Sequence, residues 1–221
     1  MIRNSLTISI LLFSTALLSL GFQCDKEEIK YQYNFSEQLD LYPFQKTYNV
    51  GDTIWLEYNN PTKLLFDKTT SKKILADTVN IEFQISYNSR YSNNPVNASG
   101  GFCDFISPIG ININRYMGIT GNSTFMSFGC NAANNYDFKV GVVLKQKGYY
   151  SLGLFDNQRS VVGCPNRTTA FPYSTIAYRF NLSDCNMDIF LSIPKNLRIG
   201  YATAYPEREI DNKEVFMLKV E

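Results

Sequence analysis

The sequence predicts an all-β fold, namely an antiparallel β-sandwich of immunoglobulin-like type with at most one short helix. Short segments in which apolar and polar residues alternate recur along the chain, and this pattern is typical of strands with one buried face. Polar stretches rich in glycine, proline and asparagine separate these segments, as turns do. Beyond residue 23 no long stretch has the helical period. Many short strands without long helices favour a sandwich.

Residues 1–23 predict a secretory signal peptide. Arg3 supplies a positive start, and a mostly apolar run follows from Ile8 to Phe22. A membrane-spanning helix needs about 20 apolar residues, so the length of this run is more typical of a signal peptide. We therefore expect the mature protein to be exported.

Cys24 directly follows the apolar run and precedes the charged stretch DKEE. In bacterial lipoproteins, the thiol of a cysteine at this place carries a diacylglycerol and the cysteine becomes the new N-terminus. Gln23 and Phe22 depart from the small residues usual before such a cysteine, so ordinary cleavage after Gly21 remains an alternative. We predict a lipid on Cys24 and a surface-exposed anchor in the outer membrane, with secretion as the alternative.

Residues 24–45 are predicted to form a tether and residues 46–221 the sandwich. The tether is polar with scattered aromatic residues, although an early strand around Leu39 to Phe44 is also compatible with it. Gly51 and Asp52 indicate a turn before a strand from Thr53 to Tyr58. The charged stretch from Leu64 to Lys73 is predicted to be a connection.

The later strands follow from alternation. Val79 to Asn88 has the cleanest pattern, since every second residue from Val79 to Tyr87 is apolar or aromatic. Lys147-Gly148 predicts a tight hairpin turn, and Ser183-Asp184 is expected to cap a helix from Cys185 to Ser192. Further strands are predicted at Asp137–Gln146, Tyr149–Phe155, Thr175–Leu182 and Glu214–Val220.

Charge and composition exclude several classes of function. Lysine and arginine together number 21 against 20 for aspartate and glutamate, and no basic face is evident, so no nucleic-acid partner is expected. The chain contains no histidine. This excludes Ser-His-Asp and Cys-His catalysis and every metal site with a histidine ligand. No cofactor is predicted.

Three constellations could still carry chemistry. Asp184-x-Asn186-x-Asp188 has the spacing of a calcium loop, but Ile189 stands where an EF-hand needs glycine, so we predict no metal site. Carboxylates on or beside strands could form a glycosidase pair without histidine. Abundant tyrosines could form a glycan-binding face. The candidate carboxylates are Glu57, Glu82 and Asp137.

The remaining cysteines predict disulfides. The chain has five cysteines, so setting Cys24 aside leaves four, and an exported protein can keep disulfides. Four cysteines allow three pairings, and buried free thiols are a further alternative. We expect the pairing of cysteines that are neighbours in the sequence. One crosslink would constrain an irregular glycine-containing region, and the other would join a loop to a strand end. Each crosslink is worth about 3 kcal/mol in the chain-entropy account. The predicted pairs are Cys103 with Cys130, and Cys164 with Cys185.

The acidic stretch after Cys24, the segments YNVGDTIWLE and KGYYSLGLF, and a closing strand resemble uncharacterised surface lipoproteins of Bacteroidota. The resemblance implies a cell-envelope location and an immunoglobulin-like or related sandwich, and it implies no ligand and no catalytic residue. The resulting hypothesis is a lipid-anchored envelope lipoprotein with a non-enzymatic binding or assembly role, whose partner is a glycan or another envelope protein. The alternatives are a carboxylate-based glycan hydrolase and a secreted glycan-binding protein.

Overall fold

The computed structural model describes residues 33–76, 81–91, 93, 101–109, 112–117, 121–128, 136–156, 174–198 and 205–221. In these residues the chain forms strands, two short α-helices and one turn of 3-10 helix, Lys195–Leu197. The helices are α1 (Met187–Ser192) and α2 (Tyr205–Asp211). The strands are β1 (Tyr33–Tyr42), β2 (Thr47–Tyr48), β3 (Thr53–Asn60), β4 (Leu64–Asp67), β5 (Lys72–Leu75), β6 (Ile81–Ser89), β7 (Cys103–Ile109), β8 (Asn112–Met117), β9 (Gly121–Phe128), β10 (Tyr136–Leu144), β11 (Gly148–Asp156), β12 (Ser174–Phe180) and β13 (Val215–Val220).

The described strands form two sheets. The first has the order β5-β4-β1-β3-β10-β7, with β12 added alongside β1, and the second has the order β2-β13-β11-β6-β9-β8. The pairs β1–β12 and β2–β13 are parallel, and the central pairs β3–β10 and β6–β11 are antiparallel. The predicted all-β sandwich is thus confirmed, with two short helices where at most one was expected.

The core lies between the two sheets. On β3, Ile54, Leu56 and Tyr58 are buried while the alternate residues stay partly exposed. Across the sheets, the ring of Phe180 on β12 meets the ring of Phe216 on β13 edge-on, with centroids 6.2 Å apart. Each such side chain contributes roughly 1.5–3 kcal/mol through burial. Alternation in the sequence therefore identifies the faces that hold the sheets together.

β13 is buried on both faces, which alternation alone did not predict. Val215 and Met217 are as fully buried as Phe216 between them, because α1 and α2 both pack on this strand. The sequence missed α2, since Pro206 suggested a bend there. Proline is tolerated in the first turn of a helix, where its missing N–H costs no hydrogen bond, and Pro206 occupies that turn.

Three local predictions need correction. The expected hairpin at Lys147-Gly148 is wrong, since β10 belongs to the first sheet and β11 to the second; the link crosses between the sheets. The stretch from Leu64 to Lys73 is not a plain connection, because it contributes the β4–β5 hairpin. β1 occupies residues assigned to the tether, and Phe35, Leu39 and Leu41 are buried in the core, so the sandwich includes the chain from Tyr33 onward.

Candidate functional site

A cleft opens in the first sheet where β1, β3 and β4 separate. β1 pairs with β3 from Asp40 to Tyr42 and meets β4 at Phe35, opposite Asp67. Between these two pairings the strands part, and residues from β1, β3, β4 and β5 line a cavity of about 700 Å³. The change of partner along β1, from β4 to β3, therefore creates the space.

A chain of hydrogen bonds holds the polar groups of the cleft. The amide Nδ2 of Asn60 donates to the hydroxyl of Tyr58 over 3.2 Å, and that hydroxyl donates to Glu37 Oε2 over 2.9 Å. The backbone N–H of Phe66 donates to Glu37 Oε1 over 3.0 Å. Glu37 thus accepts bonds from β3 and β4 at the point where these strands leave β1.

Glu37 occupies a strand position that normally faces the core. Its neighbours at alternate positions, Phe35 and Leu39, are fully buried. Burial raises the pKa of the Glu37 carboxyl, although the hydrogen bonds from Phe66 and Tyr58 and the charge of Lys73 partly oppose the shift. Loss of water disfavours the charged form, so this carboxyl keeps its proton to a higher pH than an ordinary glutamate.

Two more carboxylates lie side by side on the outer face of the sheet. Asp40 on β1 is directly opposite Glu57 on β3, and both line the cleft. Asp40 accepts a hydrogen bond from Asn181 Nδ2 over 2.8 Å. Glu57 Oε2 accepts one from the Tyr42 hydroxyl over 2.5 Å and lies 3.8 Å from Lys139 Nζ. Both carboxylates therefore have partners that fix their orientation.

An aromatic cluster adjoins this pair. The amine of Lys139 lies over the rings of Tyr42 and Trp55, 5.1 and 5.0 Å from their centroids. Burial and the hydrogen bond to Glu57 raise the pKa of Tyr42. Gly141 leaves room for the indole, because a Cβ at this position would lie 3.0 Å from Trp55 Cζ3 and 2.7 Å from Ile106 Cγ1. Cation–π contacts and close packing thus hold the side chains of Lys139, Tyr42 and Trp55 in place beside the cleft.

The wall of the cleft on the β4 side carries two apolar side chains. Leu64 and Phe66 on β4 line it with 37% and 40% of their surfaces exposed. Lys73 on β5 is the register partner of Phe66 and also lines the cleft. Leu75 pairs with Leu64 and is 51% exposed, but it does not line the cavity. One wall therefore offers hydrogen bonds and the other offers an exposed ring.

The structure brings together only part of the predicted carboxylate set. Glu57 lines the cleft, whereas Asp137 on β10 is opposite Asn59 and does not line it. The side chain of Glu82 lies outside the described residues. Glu37 and Asp40 were missed because they fall in the predicted tether. The alternation of Phe35, Leu39 and Leu41 around a charged residue was the available signal.

The segment with the spacing of a calcium loop, for which no metal site was predicted, bonds to the protein itself. Asp184 Oδ1 accepts the backbone N–H of Asn186 over 2.9 Å, and Asp188 is paired with Lys46 over 2.6 Å. Asn186 Nδ2 donates to the carbonyl of Met217 over 2.8 Å. The expected cap at Ser183-Asp184 is wrong, since Asn186 precedes α1 with left-handed backbone angles and no side-chain cap bond. No group of three metal-ligating side chains occurs among the described residues.

The cysteine predictions fall largely outside the described residues, which include neither Cys24 nor Cys130 nor Cys164. Cys103 and Cys185 are both buried, and no disulfide joins these two described cysteines. Burial, reinforced by the charge of Asp184, raises the pKa of the Cys185 thiol to about 12. The two sequential pairs and the lipid on Cys24 stay predictions.

No protein-family model matches the chain, and no curated protein matches its sequence. Within the part of the chain that the structure describes, no helix combines the length and the apolar character needed to cross a membrane.

Proposed function

We propose that the chain is an exported envelope protein, anchored by a lipid on Cys24, whose sandwich is a non-enzymatic binding module. The observation that carries this proposal is the cleft between β1, β3 and β4, a cavity of about 700 Å³ with prearranged polar groups on one side and an exposed ring on the other. Small-molecule sites commonly measure roughly 300–1,000 Å³. The size and the mixed lining support ligand binding.

The bonding of the carboxylates favours binding over catalysis. Glycoside hydrolysis needs one carboxyl that protonates the leaving group and a second that attacks or activates water. Both oxygens of Glu37 accept hydrogen bonds from the protein, and Glu57 is engaged by Tyr42 and Lys139. Groups held in this way stiffen a binding surface, since oriented side chains lower the entropic cost of binding.

The proposed cellular location of the protein rests on its N-terminal sequence. The apolar run, the cysteine at its end and the following charged stretch support export and lipidation. Added acyl chains anchor a protein far more firmly than one chain, at about 0.8 kcal/mol for each buried CH₂. A module anchored in this way would hold its ligand at the cell surface.

Fractionation and intact mass test the anchor. In a bacterial host that lipidates exported cysteines, we expect the wild type in the membrane fraction, with a mass increased by the lipid. Cys24→Ala should be found in the soluble fraction. A mature wild type that starts at Phe22 and carries no lipid would contradict the proposed anchor.

A glycan hydrolase remains the second candidate because of one specific observation. The pKa of Glu37 is raised by burial, as a general acid requires, and Glu57 and Asp40 line the same cleft. Release of new reducing ends from a panel of polysaccharides measures this activity. Turnover by the wild type that Glu37→Gln abolishes would establish the hydrolase and refute the non-enzymatic module.

A further inference from the structure

We propose that the cleft between β1, β3 and β4 binds a short, uncharged glycan, with the sugar hydroxyls on the β1–β3 wall and a sugar face on Phe66. This inference rests on the proposed binding function and adds the chemical class of the ligand. Three properties of the lining carry it: its charge, its hydrogen-bonding groups and its exposed ring.

The charge of the lining disfavours anionic ligands. Glu37, Asp40 and Glu57 line the cleft, and Lys73 is the one cationic side chain among its described lining residues. Like charges repel over several ångströms where water is partly excluded, and such repulsion is a common means of rejecting wrong ligands. Phosphorylated, sulfated and uronic-acid sugars are therefore disfavoured.

The hydrogen-bonding groups match hydroxyls. Gln38 and Asn59 are exposed and line the cleft next to the carboxylates. A side-chain amide both donates and accepts, whereas a carboxylate accepts through two oxygens. Each sugar hydroxyl can donate to a carboxylate while it accepts from an amide. A lining of amides and carboxylates therefore suits a ligand that carries many hydroxyls.

The polar groups behind these amides are hydrogen-bonded to one another. Asn60 donates to the Tyr58 hydroxyl and to the carbonyl of Leu64, and its Oδ1 accepts from Thr62 over 3.0 Å. Tyr58 is 4% exposed. An apolar ligand in the cleft would cover the exposed amides of Gln38 and Asn59 without replacing their hydrogen bonds to water, which costs free energy. A lipid or another apolar ligand therefore does not suit this wall.

The apolar wall matches the C–H face of a sugar ring. Phe66 exposes 40% of its surface while its backbone N–H is bonded to Glu37, so the ring position is tied to the polar wall. Aromatic rings contribute apolar contact area with a defined geometry, and the C–H face of a sugar can pack on such a ring. With Leu64 beside it, the wall offers two apolar side chains, which suits a sugar face.

Binding to defined glycans tests this proposal. The full-length mature protein, purified in detergent, is titrated by calorimetry with neutral oligosaccharides of glucose, mannose, xylose and N-acetylglucosamine, and with oligogalacturonates as the anionic series. We expect binding of at least one neutral series and none of the anionic series. Phe66→Ala should weaken the binding about tenfold, which corresponds to about 1.4 kcal/mol.

Two further variants separate the contact from the fold. Gln38→Ala removes an exposed amide of the cleft and should also weaken the binding several-fold. Leu75→Ala removes an exposed apolar side chain from the same hairpin outside the cleft, so it is the matched control and should leave the affinity unchanged.

The outcomes distinguish this inference from the proposed function. Preferred binding of oligogalacturonates, lost in Phe66→Ala, would overturn the uncharged-glycan class while the binding module stands. Hydrolysis of a bound neutral glycan would overturn the non-enzymatic role and leave the ligand class intact. Absence of binding to every neutral series, or neutral binding that neither Phe66→Ala nor Gln38→Ala weakens, would overturn the inference.

Discussion

Asp67→Ala is expected to destabilise the sandwich because Asp67 ties the β4–β5 hairpin to β1. The side chain is fully buried and accepts the backbone N–H groups of Asn34 at 2.8 Å, Thr69 at 3.3 Å and Thr70 at 3.0 Å. The Thr70 hydroxyl donates a fourth bond over 2.6 Å. Removing the carboxylate leaves four donors without their acceptor.

The expected magnitude follows from these partners. A hydrogen bond to a charged group contributes about 1.5–3 kcal/mol. Asn34, Thr69 and Thr70 are all exposed residues, so water can replace part of each lost bond. We therefore expect Asp67→Ala to lower the free energy of unfolding by about 2–4 kcal/mol. Asp67→Asn retains one acceptor oxygen, so it should lose less.

The loss should also depend on pH. Burial alone would raise the pKa of Asp67, but the bonds from Thr70, Asn34 and Thr69 together lower it below its ordinary value of 3.8. As the pH falls, Asp67 is therefore protonated in the unfolded chain before it is protonated in the native protein. The stabilisation by Asp67 is therefore present above about pH 4 and is lost as the pH falls through the lower native pKa.

Urea unfolding of the soluble Cys24→Ala protein, with and without Asp67→Ala, measures both effects. At pH 7 the urea midpoint should be lower in the Asp67→Ala protein. The dependence of the unfolding free energy on urea should not change, since the surface exposed on unfolding is the same in both proteins. The difference between the two proteins should shrink below pH 4. A loss under about 1 kcal/mol at pH 7, or a loss that is the same at pH 7 and pH 3, would refute this account of the hairpin.

Three further predictions follow from the structure. Glu37→Gln should remove a pH dependence of stability, because burial raises the native pKa of Glu37 above 4.5. The wild type should lose stability relative to the variant as the pH rises from about 4.5 through that native pKa. Parallel pH profiles of the melting temperature would contradict this. Gly141→Ala should cost about 1–3 kcal/mol through overpacking against Trp55 and Ile106; an unchanged urea midpoint would show that the outer face can adjust. A non-reducing peptide map should yield the sequential disulfides, and a peptide joining Cys103 to Cys164 would overturn them.

The strands that alternate strongly were predictable from the sequence. β3, β6, β10, β11, β12 and β13 each lie within a few residues of a predicted strand, because one buried face imposes a period of two. The β4–β5 hairpin was missed because its lysines suggested a solvated connection. Such charges are also typical of exposed edge strands, where they hinder aggregation, and β5 is the edge of its sheet.

The cleft could not be predicted because it depends on long-range pairing. β1 meets β4 at Phe35 and β3 at Asp40, and no local pattern indicates that the strand will exchange one neighbour for the other. The same limit explains the wrong hairpin at Gly148. A tight turn fixes where the chain changes direction, and the choice of sheet for the next strand depends on packing elsewhere.

The position of the indole beside the cleft gives the molecule an intrinsic optical probe. Trp55 is the only tryptophan in the chain, so the fluorescence of tryptophan reports a single place. The amine of Lys139 lies 5.0 Å from its ring, and the same amine lies 3.8 Å from Glu57, which lines the cleft. Indole emission responds to nearby charge, so a ligand that moves Glu57 or Lys139 shifts the spectrum without a label. Occupancy of the cleft and unfolding of the first sheet can thus be followed in one cuvette.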